Sequence, residues 1–478
     1  MLCAGLISIL FSVPLFSYCI SPTIFNRRTC IVLIYSTFLS INIFNINNLG
    51  IFNRLFHIGP IQIYGEAFIY ICGAIILIGF SYSSSTRNRF PNVNEVGLII
   101  LFAILGQTLL IRSIDIFSFY ITLELQSFAV YVLCTLYRQR ERATIAGLKY
   151  FILGGLSRAI ILLGISLIYY ETGTTQFEDI FRLFASSIGE NDYQLPIIIG
   201  ISLILIGLLF KIGRAPLHFW APDVYDGIPT AITIFVQTIP KIRILIIIVE
   251  ILRFTWPGRP NTFNDILLYA SLSSLVIGTV VGLSQFRIKR LLAYSSIRHV
   301  GFITLCLVIN NQERISTFLF YLVQYSLTNI CVFLCIIAYG NFKDISLISE
   351  LKIKFQNQPL ITLSFILCLF RIAGIPPLIG FYAKMIVMQS CIEQGYYAIS
   401  LVCVIVSVIS ASYYLKIVKV LYFDTDTNSD VVRQDTIMIS NLHRFAIAIL
   451  TIIITFYIII PEILLNTSKL IAIRLFHY

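Results

Sequence analysis

Lys211 ends an apolar run, 196–210, where a charged ammonium group conflicts with its surroundings. An ionisable side chain inside hydrocarbon is costly and marks a functional site by default. Gly213 and Pro216 follow at once and interrupt the helix that the run would form. A helix broken at membrane depth is tolerated only where its backbone is buried in protein or lines a wet cavity. The pattern from Gly213 to Trp220 is G-x-x-P-L-x-x-aromatic, and it recurs from Gly374 to Phe381, with Lys384 just beyond. Two Gly/Pro-interrupted apolar segments in matching places are the sequence mark of a carrier with internal repeats. The plainer alternative is a pair of merely kinked helices; the lysine beside each break argues against it.

Other ionisable residues share these apolar surroundings. Glu124 lies mid-run in 117–127. A carboxylate there is neutral unless paired, and Lys211 is its natural partner. Such a pair would be a proton switch; a static ion pair is the alternative. Lys241 follows Pro240 inside 231–248, and the proline is expected to kink that helix and expose carbonyls beside the lysine. His218 and His299 titrate near neutrality and suit relay, although a lone histidine also serves as a satisfied core residue. Glu124, Lys211, Lys241, His299 and Lys384 thus form a candidate proton-transfer chain, with His218 and Lys149 as secondary candidates. Lys149 sits one to two turns inside its span, where snorkelling to the interface competes with a role in transfer. Glu66, a lone carboxylate at a span edge, reads as interfacial. The sequence holds no phosphate-binding glycine loop, nucleophile–base pairing or metal-ligand spacing. The chemistry implied is movement of ions.

The elements that position these groups must be membrane helices. The chain has 478 residues, of which 58% are hydrophobic and 12% charged, which excludes a soluble protein. Its net charge of +11 fits basic loops on one membrane face better than nucleic-acid binding. Eleven cysteines are scattered without a C-x-x-C or a Cys/His cluster. They read as small buried hydrophobes and support neither a metal nor an iron–sulfur site. Residues 1–20 lack a cleavage pattern and read as a first span. The richness in Ile, Phe and Tyr suggests AT-rich coding, as in an organelle genome.

Apolar runs long enough to cross a bilayer number about 14. They are 2–20, 29–45, 64–83, 96–112, 115–137, 143–170, 196–219, 229–254, 262–283, 288–309, 315–339, 359–391, 396–422 and 441–465. The expected fold is an all-α polytopic membrane protein. Its parts are a three-helix segment (1–95), a five-helix unit (96–254), a second such unit (262–422) and a C-terminal span (441–478). Five helices per unit, an odd number, puts the second unit upside down relative to the first, with helices 7 and 12 broken. Alternate connections carry Arg27, Arg28, Arg87, Arg89, Arg138, Arg140, Arg142, Arg287, Lys289, Arg290, Lys343, Lys352 and Lys354. These are expected to face the matrix or cytoplasm, with both termini opposite. The acidic connection 171–195 has room for a short amphipathic helix.

Four stretches carry a resemblance to a known family: Ile121 to Ser127 (ITLELQS), Phe210 to Asp223 (FKIGRAPLHFWAPD), Arg290 to Gly301 (RLLAYSSIRHVG) and Ala373 to Lys384 (AGIPPLIGFYAK). In this order they resemble the antiporter-like proton-pumping subunits of respiratory complex I, NADH:ubiquinone oxidoreductase, over about residues 97 to 422. The ELQS and LKY pieces resemble subunit 2 more than its siblings, subunits 4 and 5. The resemblance implies a proton-translocating, non-redox subunit of the mitochondrial inner membrane. NADH, FMN, iron–sulfur clusters and ubiquinone would belong to other subunits, and sibling antiporter-like subunits and membrane lipids would be its partners. It implies a polar axis of Glu124, Lys211, Lys241 and Lys384, with His218 in the seventh-helix break. An independent monovalent cation/proton antiporter is the competing expectation, because the same axis would serve it. A structural scaffold is a third.

The chain departs from that family at Arg158, Arg214, Arg243, Arg298 and Arg371, where the family usually has a small residue. A mid-span arginine costs at least about 2.5–3.5 kcal/mol on insertion scales. Either these arginines face the polar axis, or AGA and AGG codons are read as serine in the native organism.

Overall fold

The computed structural model describes the chain apart from residues 17–20, 43–48, 86–94, 187–190, 255–260, 309–313, 341–344, 353–357, 377, 425–439, 457–461 and 477–478. The basic residues expected at 87, 89, 343 and 354 lie outside the described residues, as does Pro377 of the second break. The protein is a helical, multi-pass membrane bundle. Nine helices among the described residues are long and apolar enough to cross a bilayer, and four shorter apolar helices accompany them.

The leading segment contains α1 (Leu2–Phe16), α2 (Pro22–Asn42) and α3 (Pro60–Ser85). Between α2 and α3 lies a feature that hydropathy did not suggest. Strands β1 (Leu49–Ile51) and β2 (Phe56–Ile58) pair antiparallel around a turn in which Phe52, Asn53 and Arg54 all take positive φ. Next come α4 (Val96–Arg112), α5 (Ile116–Thr135), α6 (Glu141–Thr172) and α7 (Phe177–Ser186). Asp115 starts α5 by accepting from the amides of Phe117 and Ser118, the ordinary chemistry of an N-cap. The short α7 fills part of the 171–195 connection. It buries Phe177, Ile180 and Phe181 and turns the Arg182–Glu178 and Arg182–Asp179 pairs outward.

The first broken helix consists of α8 (Asn191–Ile212) and α9 (Trp220–Gly227). Then follow α10 (Thr230–Phe254), α11 (Asn261–Leu283), α12 (Ile288–Val308) and α13 (Arg314–Tyr339). The second broken helix consists of α14 (Pro359–Ala373) and α15 (Ile379–Glu393), and α16 (Tyr397–Tyr422) follows. From residue 441 on, the described residues form α17 (Asn441–Phe456) and α18 (Glu462–Phe476). α10 runs without a break through Pro240, so the proline does not divide the eighth span.

The apolar windows of α10 and α12 are wholly buried, whereas only about a third of the α6 window is, at 33%. The central helices therefore carry the groups least able to reach water. α6 and α8 approach closely because Gly164 faces Gly200: a Cβ on Gly164 would stand 2.6 Å from the Gly200 carbonyl oxygen. Small residues that let backbones touch are the usual currency of helix packing in membranes.

Candidate functional site

Both broken helices end in the same way. Gly213 (φ 74°) donates its amide to Phe210 O, and the Arg214 amide bonds back to Leu209 O. Gly374 (φ 86°) donates to Arg371 O, and the Ile375 amide bonds back to Phe370 O. This pair of bonds is the Schellman closure, and glycine supplies its left-handed residue without Cβ strain.

The first break is satisfied by its surroundings. Trp220 Nε1 donates to Phe210 O at 2.9 Å, Ser273 Oγ to Ala215 O at 3.0 Å, and Arg214 reaches Ala270 O and Leu267 O on α11. Lys211, in the last turn of α8, behaves differently. Its buried ammonium has no hydrogen-bond partner among the described residues. It faces a cavity of about 20 Å³ between Ser127, Tyr131, Ser157 and Trp220. That space holds about one water molecule, and its polar lining suits one.

Glu124 does not pair directly with Lys211, contrary to the expectation from the sequence. Its Oε2 accepts from Arg158 Nη1 at 2.9 Å. Oε1 has no partner among the described residues. The Arg158 guanidinium is framed by Phe128, Tyr131 and Phe151, whose ring centroids lie 5.0, 5.5 and 5.5 Å away. A planar donor held on aromatic faces is better placed for a carboxylate than a point charge at a helix end. Arg158 is thus a site residue that the sequence reading counted only as a departure.

Lys241, on α10, donates to Ser296 Oγ on α12 at 2.9 Å and sits 5.2 Å from the centre of the Tyr225 ring. One turn further along α12, His299 Nδ1 lies 2.9 Å from Tyr321 OH. Its Nε2 lies 2.8 Å from Arg298 Nη2. Arg298 Nη2 also reaches Ile372 O at 3.4 Å, the carbonyl to which Lys384 donates at 3.2 Å. Lys384 donates to Ala373 O as well, at 2.7 Å. The lysine of the second break therefore caps the carbonyl end of α14. Hydrogen bonds thus join Lys241 to Ser296, and His299 to Lys384 through Arg298 and Ile372 O, with one turn of α12 between the two groups.

Two secondary candidates lie elsewhere. His218 Nδ1 is 3.2 Å from Pro216 O within its own break, with the ring near Phe219 and Tyr294. Lys149 is half-exposed and pairs with Asp223 Oδ2 at 3.2 Å, which anchors the snorkelling side chain. Asp223 stood inside a recognised sequence block, but only the fold brings cations to it. Glu66, read as a lone carboxylate at a span edge, is not alone. It is buried, at 1% exposure, and forms a two-point ion pair with Arg112. Arg214, Arg243 and Arg298 are fully buried. Each keeps at least one guanidinium nitrogen without a partner among the described residues. Arg243 donates to Gln126 Oε1 at 3.2 Å.

Residues 113–410 match the family model described as NADH:quinone oxidoreductase/Mrp antiporter, transmembrane. The chain belongs to this family. It is 42% identical to NADH-ubiquinone oxidoreductase chain 2 of Rhizopus oryzae over 99% of both chains. It is 38% identical to NADH-quinone oxidoreductase subunit N of Pelagibacter ubique, over 74% of this chain and 75% of the relative. Its fold resembles a chain of respiratory complex I from Thermus thermophilus solved with bound aureothin. The TM-score is 0.78 at 24% identity, covering 98% of this chain and 99% of that one. A chain of the Mrp complex from Dietzia superposes with a TM-score of 0.83 at 17% identity, covering 98% and 95%. These likenesses show an overall fold shared with chains of both complexes.

Proposed function

We propose that this chain is a proton-translocating membrane-arm subunit of respiratory complex I. Protons move along Glu124, Lys211, Lys241, His299 and Lys384, driven by NADH-to-ubiquinone electron transfer in other subunits. The observation that carries this reading is the pair of helices closed by the same hydrogen bonds, each with a buried lysine at its break, in a chain of this family. The subunit is part of a multisubunit membrane complex and works beside sibling antiporter-like subunits and lipid in the mitochondrial inner membrane. FMN, iron–sulfur clusters, NADH and ubiquinone sit in other subunits.

The finer architecture belongs to the same proposal. Fourteen spans would comprise a three-helix segment (1–95), two inverted five-helix units (96–254 and 262–422) and a C-terminal part (441–478). The matching closures at Gly213 and Gly374 support an equivalence of helices 7 and 12. An odd number of helices per unit then inverts the second unit.

Lys211 supplies a cation whose protonation answers to Glu124 and to water in the adjoining cavity. Glu124 in turn is held by Arg158, so a change at that ion pair alters the charge that Lys211 meets. Lys241 and His299 extend the route along α12 to Lys384. The direct test is Lys211→Met in the assembled complex. Electron transfer and complex content are expected to hold while protons moved per electron fall, read by dye quenching in sealed membranes. Unchanged pumping removes Lys211 from the mechanism. The likeness in fold to an Mrp chain keeps one second reading, an independent cation/proton antiporter. That reading requires exchange activity from the purified chain alone after reconstitution.

A further inference from the structure

The half-helix α9 contacts the end of α8 beside Lys211 and the ammonium of Lys241. At its start, Trp220 donates to Phe210 O, next to Lys211, and stacks on Tyr150 of α6 with ring centroids 4.9 Å apart. At its far end, Tyr225 lies beneath the Lys241 ammonium. Asp223 stands between them. Its two oxygens bind two different cations: Oδ2 takes Lys149 of α6 and Oδ1 takes Arg290 of α12, each at 3.2 Å. α6 belongs to the 96–254 half of the chain and α12 to the 262–422 half. The same end of α9 is held again from the second half. Arg287 pairs with Asp226, and Lys289 donates to Ile228 O at 2.9 Å.

We infer that Asp223 is a positioning residue that latches α9 to both halves of the bundle and thereby couples Lys211 to Lys241. This rests on the proton-translocation reading above. A displacement of α9 moves the Trp220 contact at the end of α8 and the Tyr225 ring under Lys241 together. One carboxylate shared by two cations sets where α9 rests. Lys149, Asp223 and Arg290 are all partly exposed, with side-chain exposures of 50%, 41% and 36%. The latch is therefore open to screening by salt, over a length of about 8–10 Å at ordinary ionic strength.

The test uses the whole complex in sealed membranes. Asp223→Asn is expected to leave NADH oxidation and complex content in place and to weaken the response of pumping to Lys241 by about fivefold, the low end of coupling between sites. Asp223→Glu restores it. Raising salt on the face that carries the 138–142 connection lowers protons per electron in the natural complex and leaves Asp223→Asn unchanged, a response that a merely structural residue does not produce. Lys149→Gln and Arg290→Gln each lower the ratio and are non-additive with Asp223→Asn. If Asp223→Asn does not assemble, these two variants, which keep the carboxylate, decide the matter. An unchanged, salt-independent ratio in the variants overturns the latch. If Lys211→Met and Lys241→Met leave pumping intact, the underlying reading fails instead, whatever Asp223 does.

Discussion

At Gly213 and at Gly374 the chain leaves an α-helix through the same pair of backbone hydrogen bonds, but the neighbouring lysines are used differently. Lys211 precedes its break and makes no hydrogen bond to the freed carbonyls among the described residues; Trp220 and Ser273 satisfy Phe210 O and Ala215 O. Lys384 follows its break and folds back onto Ile372 O and Ala373 O. One ammonium is thus left beside a water-sized cavity, the other at the negative end of a helix. A shared sequence pattern fixes the break and leaves the electrostatic surroundings of its lysine to the neighbouring helices.

The sharpest way to break this comparison is at the charges. Glu124→Gln leaves Arg158 without its carboxylate, and losing the charged hydrogen bond of this partly buried pair costs about 1.5–3 kcal/mol. A clear fall in the melting temperature of the complex is expected. An unchanged melting temperature contradicts the pairing of Glu124 with Arg158. Lys384→Met strips Ala373 O of its donor and leaves Ile372 O only the longer Arg298 bond, at about 1–3 kcal/mol for the group left unsatisfied. Lys211→Met removes no hydrogen bond to a described residue. The two lysine variants should therefore separate on thermal stability even though both lower pumping. Equal stability losses would mean that the two lysines are held alike.

A smaller effect lies in the glycines. Gly213→Ala and Gly374→Ala each force a Cβ into the left-handed region, at roughly 1–2 kcal/mol. Their clashes differ. At 213 the new Cβ would lie 2.9 Å from Ala221 Cβ, and at 374 it would lie 2.8 Å from Lys384 Nζ. Gly374→Ala should displace the lysine and copy the pumping defect of Lys384→Met, while Gly213→Ala should chiefly shift α9. Matching pumping profiles for the two alanine variants would erase the distinction.

The last prediction sharpens the comparison without a substitution. Arg214, Arg243 and Arg298 each keep a guanidinium nitrogen without a partner among the described residues, and a buried charge short of partners is costly. Peptide mass spectrometry of the native protein decides whether these are arginines or the product of AGA and AGG codons reassigned to serine. Tryptic peptides ending at 214, 243 or 298 would end that reading. The same peptides report residue 158 and so test the partner of Glu124.

Hydropathy alone determines that this chain is a membrane bundle, because a run of about 20 apolar residues has no other stable solvent. Glycine and proline spacing likewise determines both breaks: only glycine takes the closing φ without strain, and proline offers no amide to continue the helix. The burial of Lys211, Lys241 and Lys384 was legible for the same reason, since charged residues inside apolar runs cannot be mistaken for surface. Tertiary structure decided their partners. Glu124 pairs with Arg158 and not Lys211, Glu66 with Arg112, and Asp223 with two cations from opposite halves of the chain. Periodicity says which residues share a helix, but an ion pair needs two side chains a few ångströms apart on different helices. That distance is set by how the helices pack, down to the single glycine contacts between α6 and α8.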